Sequence, residues 1–401
     1  GEIKIIDVNP KPANIIEAFK TLKGNTLICV LFEPMWGIPY VLYHFYLSLY
    51  MKSQGITDKQ IGYMISLGFI SAIVFSIIAG TVTDTLGRKK TTLIFDLIGW
   101  PCAILIYAIS NNFWMFALAT VVNSAQRVTA VSFNLMVVED ADSQQRIAAF
   151  NLINIINISA GLLTPLAGIA VKTFGIVGAE RFLLIFAAIS MSTMMVLRNY
   201  YYTETHIGQR ILDERPQRDL KQNLRNIFDN GVLQELSQKP KALKVIAVAA
   251  LFNMHTTIGT HLSLYFAPYI TEALGIERSM VSIFGVVNSA TMLLVFIFIN
   301  PIISGGNMIS NLLTGLVLQV VALFLLITMP GGNLILVGSC IALLAAGFGM
   351  FKPFMDTMLA EVTGGKRRAG MYGFLNAVTC IFNAGIGFLS GYIYDLNPRL
   401  L

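Results

Sequence analysis

Gly80-Thr-Val-Thr-Asp84-Thr-Leu-Gly87-Arg88-Lys89-Lys90 is a short polar, basic stretch wedged between two long apolar runs, 57–82 and 91–110. Each run is long enough to cross a bilayer, for which about 20 apolar residues suffice. A Pro-free polar segment of this length between two such runs reads as a tight hairpin joining two membrane helices. It places three adjacent cations on one face of the membrane, and cations in short loops favour the cytoplasmic face.

Composition extends this reading to the whole chain. Of 401 residues, 55% are hydrophobic and only 12% are charged, against about 25% charged in soluble domains. The mean hydropathy is +0.68. These values specify an all-α integral membrane protein. The net charge of +6 does not argue for nucleic acid, because the cations cluster in loops on one side. Cys29, Cys102, Cys340 and Cys380 lie inside apolar runs without metal-ligand spacing and read as small packing residues. No cofactor-binding or metal-binding pattern appears, and no nucleotide-binding loop; Gly331-Gly332 and Gly364-Gly365 read as turns. The chain does not read as an enzyme.

Working outward, residues 1–24 form a charged N-terminal segment in which Ile15-Ile16-x-Ala18-Phe19-x-x-Leu22 has helical spacing, suited to an amphipathic helix on the inner surface. Spans 1 to 6 are expected at 25–51, 58–83, 91–110, 112–138, 146–171 and 181–202, within an N-terminal bundle at 25–203. The polar segment 204–244 reads as a cytoplasmic linker. Spans 7 to 11 follow at 245–271, 276–302, 307–329, 333–359 and 368–394, within a C-terminal bundle at 245–401. With the N-terminus inside, most of the 28 basic residues fall in inner loops, while Lys52, Lys59, Lys172, Arg181 and Arg278 lie outside. This asymmetry supports a cytoplasmic N-terminus, and a bacterial cytoplasmic membrane is the expected location.

The two blocks echo each other, as transporter halves do. Glu139 precedes Arg146 by seven residues after span 4, and Glu361 precedes Arg368 by seven after span 10. Gly55-Ile56 before span 2 matches Gly275-Ile276 before span 8. Arg181-Phe-Leu-Leu opens span 6, and Arg399-Leu-Leu401 stands at the corresponding place. A twelfth span is therefore expected from about Pro398 onward, completing two pseudo-symmetric six-helix bundles of which this sequence holds eleven helices. A native eleven-span chain is the alternative.

The pattern Gly-x-x-x-Asp-x-x-Gly-Arg-Lys/Arg-Lys/Arg after the second span resembles the signature loop of the major facilitator superfamily, and every fixed position is present at Gly80, Asp84, Gly87, Arg88, Lys89 and Lys90. The resemblance implies alternating access between two six-helix halves, with spans 1, 4, 7 and 10 lining the substrate path. It also implies a conformational latch. Asp84 would meet the start of span 11 at Arg368, and Arg88 would face Glu139 and Asp140; Arg146 and Glu361 belong to the same constellation. Gly161-Leu-Leu-Thr164-Pro165-Leu-Ala-Gly168-Ile169 keeps only part of the span-5 motif of antiporters in this superfamily, so efflux is suggested rather than specified.

Intramembrane charges are costly and mark function by default. Away from span ends they fall on spans 1, 4, 7 and 10: Glu33 and His44, Arg127, His255 and His261, Lys352 and Asp356. Asp96 in span 3 is the exception, and reads as a partner of Arg88 or a neighbour. Glu33 and Arg127 lie at similar depths and are expected to pair across a central cavity. Proton coupling is assigned to Glu33, Arg127, His255 and Asp356. Helical spacing puts Glu33, Trp36, Tyr40 and His44 on one face of span 1, Asn123, Arg127 and Asn134 on one face of span 4, and Asn253, Thr257, His261 and Tyr265 on one face of span 7. With Tyr43 and Lys352, these form the expected substrate cavity. Structural alternatives stand beside each: an ion pair for Glu33 and Arg127, an i,i+4 pair for Lys352 and Asp356, an interface anchor for His44.

The function expected is proton-coupled secondary transport of small organic molecules, with efflux as the first direction. Proton- or sodium-coupled uptake of a polar nutrient such as a saccharide, or lipid flipping, is the alternative. A transporter-like sensor is the alternative from a different class. The expected partners are a substrate, protons and membrane lipids, with a functional monomer and no nucleic acid.

Overall fold

The computed structural model describes residues 15–214, 240–259, 263–303, 308–362 and 368–401. Among them, eight helical stretches are long and apolar enough to cross a membrane, and Leu243–Ile258 is a shorter apolar helix. One of the eight, Gln144–Tyr201, is two spans: Gly175 at φ +70° reverses the chain between them. Span 4 consists of two shorter helices, Phe113–Asn123 and Gln126–Val138, and span 7 begins at Pro240. All eleven expected spans are thereby accounted for. The chain is an all-α integral membrane protein, with spans 1–6 in one bundle and spans 7–11 in the second.

The hairpin is tighter than its polar composition suggests. Span 2 is a continuous helix, Asp58–Leu86, and the next helix starts at Arg88. Gly87 alone makes the turn, at φ +83°, a conformation that only glycine adopts without strain. Three cations in a first helical turn oppose the helix dipole, and the helix start has backbone N–H groups without intrahelical partners. Glu204 resolves both problems, since its carboxylate accepts from the N–H of Arg88 (2.9 Å) and of Lys89 (3.1 Å).

Two irregularities within the spans fall at prolines. Span 1 is three helices, Gly24–Phe32, Pro34–His44 and Leu47–Ser53, and the first break falls where Pro34 has no N–H to continue the ladder. The break falls at Glu33, whose carbonyl accepts from the N–H of Trp36 and of Gly37. Pro101 lies in a π-helical turn, Ile98–Cys102, in span 3. There Gly99 packs so closely on span 4 that a Cβ would stand 2.6 Å from the Gln126 nitrogen. The echo between the halves is physical as well: Gly55 and Gly275 both turn with positive φ, and Ile56 and Ile276 after them are both buried.

The halves meet through small residues. A Cβ on Gly62 of span 2 would lie 2.5 Å from the Gly387 carbonyl of span 11, and one on Gly391 would lie 2.9 Å from the Lys59 Cα. Spans 5 and 8 cross at Gly161 against Ser289 and at Gly168 against Ser282. Both crossings lie in the half of the membrane far from the basic hairpin.

Candidate functional site

Span 1 presents a column of rings. Trp36 stacks on Tyr40 with centroids 4.9 Å apart, and Tyr40 stacks on His44 at 4.9 Å. The spacing i, i+4, i+8 puts these side chains one above another on a helix. Trp100, carried by the π-turn of span 3, meets Trp36 and Tyr40 edge-on at 5.1 and 5.6 Å. This column separates two cavity lobes. The larger, of about 530 Å³, lies between spans 1, 2, 3, 4 and 7, and its polar lining includes Asn123, Gln126, Arg127, Thr256 and Thr257. The smaller, of about 270 Å³, lies between spans 1, 5, 8 and 10 and is lined by Asn154, Asn157, Asn288 and Ser289. Trp36, Tyr40 and His44 line both.

The far side of these lobes is sealed. Lys52 bridges Asp58 and Glu272 at 2.7 Å each, and Lys59 pairs with Asp395 at 2.9 Å. The Tyr46 hydroxyl donates to the carbonyls of Arg278 and Ser279 and accepts from the Ser282 N–H. Tyr265 donates to the Asp58 carbonyl and packs on the Tyr394 ring at 4.8 Å.

Expected cavity residues divide accordingly. Trp36, Tyr40, Tyr43, His44, Asn123, Arg127 and Thr257 line the larger lobe. Tyr265 belongs to the seal. Asn253 donates to the Ala249 carbonyl of its own helix. Asn134 is exposed, outside either lobe's lining. His255 is bonded to Gln319 at 3.1 Å and lines a separate cavity of about 150 Å³ behind span 7. Lys352 and Asp356 pair with each other at 2.6 Å and line neither lobe. His261 lies outside the described residues.

The expected Glu33–Arg127 pair does not form. Glu33 is 7% exposed and accepts from the Asn157 amide at 2.9 Å, and the cation whose charge reaches it is Arg198. The break at Pro34 turns Glu33 out of phase with the ring column and toward spans 5 and 6. Arg127 faces the cavity instead. Asp96 likewise departs from expectation, since it pairs with buried Arg198 of span 6 rather than with Arg88. The Arg198 guanidinium also lies over the rings of Phe133 and Tyr202.

At the hairpin, Arg88 is 3% exposed. It grips Glu139 through two guanidinium nitrogens and Asp84 at 3.2 Å. Thr205 also donates to Glu139, and Asp140 accepts from the His206 N–H at 3.1 Å. Arg146 is exposed. A Cβ on Gly80 would meet nothing within 4 Å. Glu361 and Arg368 lie in helices, but their side chains fall outside the described residues, as does linker segment 215–239.

Sequence reasoning missed several polar positions. Asn154 and Asn157 repeat at i, i+3 with Asn151 inside an apolar run, and that amide periodicity was the available signal. Span 6, read as free of interior charge, carries Glu180 at 0% exposure with neither carboxylate oxygen hydrogen bonded.

The sequence profile of the Major Facilitator Superfamily matches residues 35–387. A class H tetracycline resistance protein from Pasteurella multocida is 22% identical over 218 residues, 51% of this chain. The match spans about half (53%) of that curated relative's length. The fold is similar to that of a mutant of the nucleoside transporter NupG (TM-score 0.72, 15% identity, 93% of this chain and 92% of the other). It is also similar to that of the inward-open xylose transporter XylE from E. coli (TM-score 0.67, 15% identity, 92% and 91%).

Proposed function

The chain belongs to the major facilitator superfamily, and on that premise we propose that it is a proton-coupled secondary transporter of small organic molecules that works by alternating access. The observation that carries the proposal is a two-lobed polar and aromatic cavity at the interface of the two bundles, sealed on the far side by Lys52, Tyr46 and Tyr265 and their partners. The sealed ties are between side chains and loops that can separate without unfolding either bundle. Rocking one bundle against the other would break them and expose the same residues to the opposite face. With the N-terminus cytoplasmic, the described state is closed to the outside.

Glu33 is the proposed proton carrier. A carboxyl held among apolar helices by a single amide bond exchanges a proton at small structural cost, and its position at the Pro34 break couples it to the ring column one turn away. Protonation would weaken the bond from Asn157, which lines the smaller lobe, by removing its charge assistance, and so link the proton to the cavity. Export is the direction we adopt, supported by the half-length likeness to a tetracycline resistance protein. Uptake of a polar nutrient is the second reading, supported by the amide groups of Asn154, Asn157 and Asn288 around the smaller lobe.

The test is proton flux in proteoliposomes, wild type beside Glu33→Gln, with tetracycline, xylose and uridine as probes. Substrate-driven flux lost in the variant supports the proposal. Flux retained in the variant removes Glu33 as carrier.

A further inference from the structure

Resting on the transport reading above, we propose that the cavity takes an amphipathic organic anion, and that Arg127 holds its charged group. Among the described residues, Arg127 is the only formally charged side chain lining either lobe, and no carboxylate faces them. Its backbone N–H bonds to the Ser124 carbonyl, but its guanidinium has no hydrogen bond or ion pair to any described residue. Glu33, the acid at its depth, is held by Asn157. A guanidinium within a membrane span is stable only when water, a counter-charge or a ligand satisfies it. Among the described residues nothing compensates this positive charge, and its natural complement is an anion.

The hydrogen-bonding groups point the same way. The indole N–H of Trp36 and Trp100 and the hydroxyls of Tyr40 and Tyr43 have no acceptor among the described residues, and all four side chains line the larger lobe. Both faces of the Tyr40 ring are covered, by Trp36 and by His44, so the cavity meets its edge, which is the positive part of an aromatic quadrupole. A planar guanidinium matches the two oxygens of a carboxylate, or of a phosphate or sulfonate, in a bidentate arrangement. The same lobe is also lined by Leu47, Met51, Met64 and Phe69, apolar side chains that accommodate a hydrocarbon or aromatic body. The volume of about 530 Å³ suits a small organic acid.

The test uses the purified full chain and an isosteric trio: 3-phenylpropionate, 3-phenylpropylamine and 3-phenylpropan-1-ol. Binding is measured by titration calorimetry. The expected result is that the carboxylate binds at least about tenfold more tightly than the amine or the alcohol, as a charge-assisted hydrogen-bonded contact requires. Arg127→Gln should abolish that preference, and Arg127→Lys should keep part of it. Equal binding of the three, preference for the amine or alcohol, no binding of the carboxylate, or a preference that survives Arg127→Gln would each overturn the proposal.

A second measurement does not depend on the Arg127 variants folding. Ile65→Cys, on the cavity wall of a chain stripped of its four native cysteines, should react faster with an anionic than with a cationic methanethiosulfonate of equal size. The reverse order would refute a positive cavity. Proteoliposome flux separates the two readings. Anion binding without flux would remove the transport reading and leave the anion site. Flux of the alcohol or amine unaffected by Arg127→Gln would remove the anion site and leave transport.

Discussion

Gly62→Ala offers a direct test of how the far side is held shut. The added Cβ would sit 2.5 Å from the Gly387 carbonyl oxygen and 2.9 Å from the Gly391 nitrogen and Cα. An ordinary contact needs about 3.4–4 Å, so spans 2 and 11 must part by roughly 1 Å. All the opposing atoms are backbone, so no side-chain rotation relieves the clash, and overpacking of this kind costs about 1–3 kcal/mol. The cost falls on the state with this crossing closed and is relieved where the two helices have separated. The equilibrium should therefore move toward far-side opening by about 5- to 150-fold. Spin labels at Ser53→Cys and Glu277→Cys, both exposed on opposite halves, report the change by pulsed electron resonance: the distance distribution should shift to longer values. Gly391→Ala should act in the same direction. An unchanged distribution in both variants, with wild-type stability, would refute the assignment of this crossing as the closed-state contact.

Further outcomes are expected. Arg88→Ala leaves Glu139, itself 6% exposed, without its guanidinium partner, and should lower stability by about 3–5 kcal/mol, read as a fall in Tm on a detergent-solubilised sample. Lys52→Gln removes a partly exposed bridge worth no more than about 1 kcal/mol; it should shift the same spin-label distances far less than Gly62→Ala, with little change in Tm. Glu180→Met replaces an unpartnered buried carboxyl with a side chain of similar volume and should hold or raise Tm, by up to about 1–4 kcal/mol of stability; a large fall would show that the carboxyl has a partner the geometry does not reveal. Glu204→Ala uncovers two N–H groups at the start of span 3, and hydrogen exchange at Arg88 and Lys89 should rise by about fivefold for a lost cap of roughly 1 kcal/mol.

The spans were legible because their signal is additive: apolar runs of membrane-crossing length, separated by short polar turns, repeat along the chain. The ring column was legible too, since Trp36, Tyr40 and His44 keep an unbroken helical phase. Glu33 was not, because Pro34 interrupts that phase and a helical wheel drawn through the break points Glu33 at the wrong neighbours. Asn157 was not legible, because an amide carries no formal charge to mark it within an apolar run, although it donates a hydrogen bond to the buried carboxyl of Glu33. Glu180 stood near the expected end of a span, where hydropathy assigns it to interface water; only the reversal at Gly175 puts it inside. Glu204 was assigned to the linker, and its role depends on a chain reversal some 115 residues away from Lys89.

Arg127 has an electrical consequence. A fixed charge in a membrane-spanning cavity sits within the transmembrane voltage, and each reorientation redistributes that voltage around it. Moving one elementary charge through the full drop involves about 2.3 kcal/mol per 100 mV. On the anion proposal, with Glu33 in one protonation state, an empty cavity presents one more positive charge to this field than a cavity holding a monoanion. The empty and loaded reorientations would then differ by one elementary charge in their response to membrane voltage.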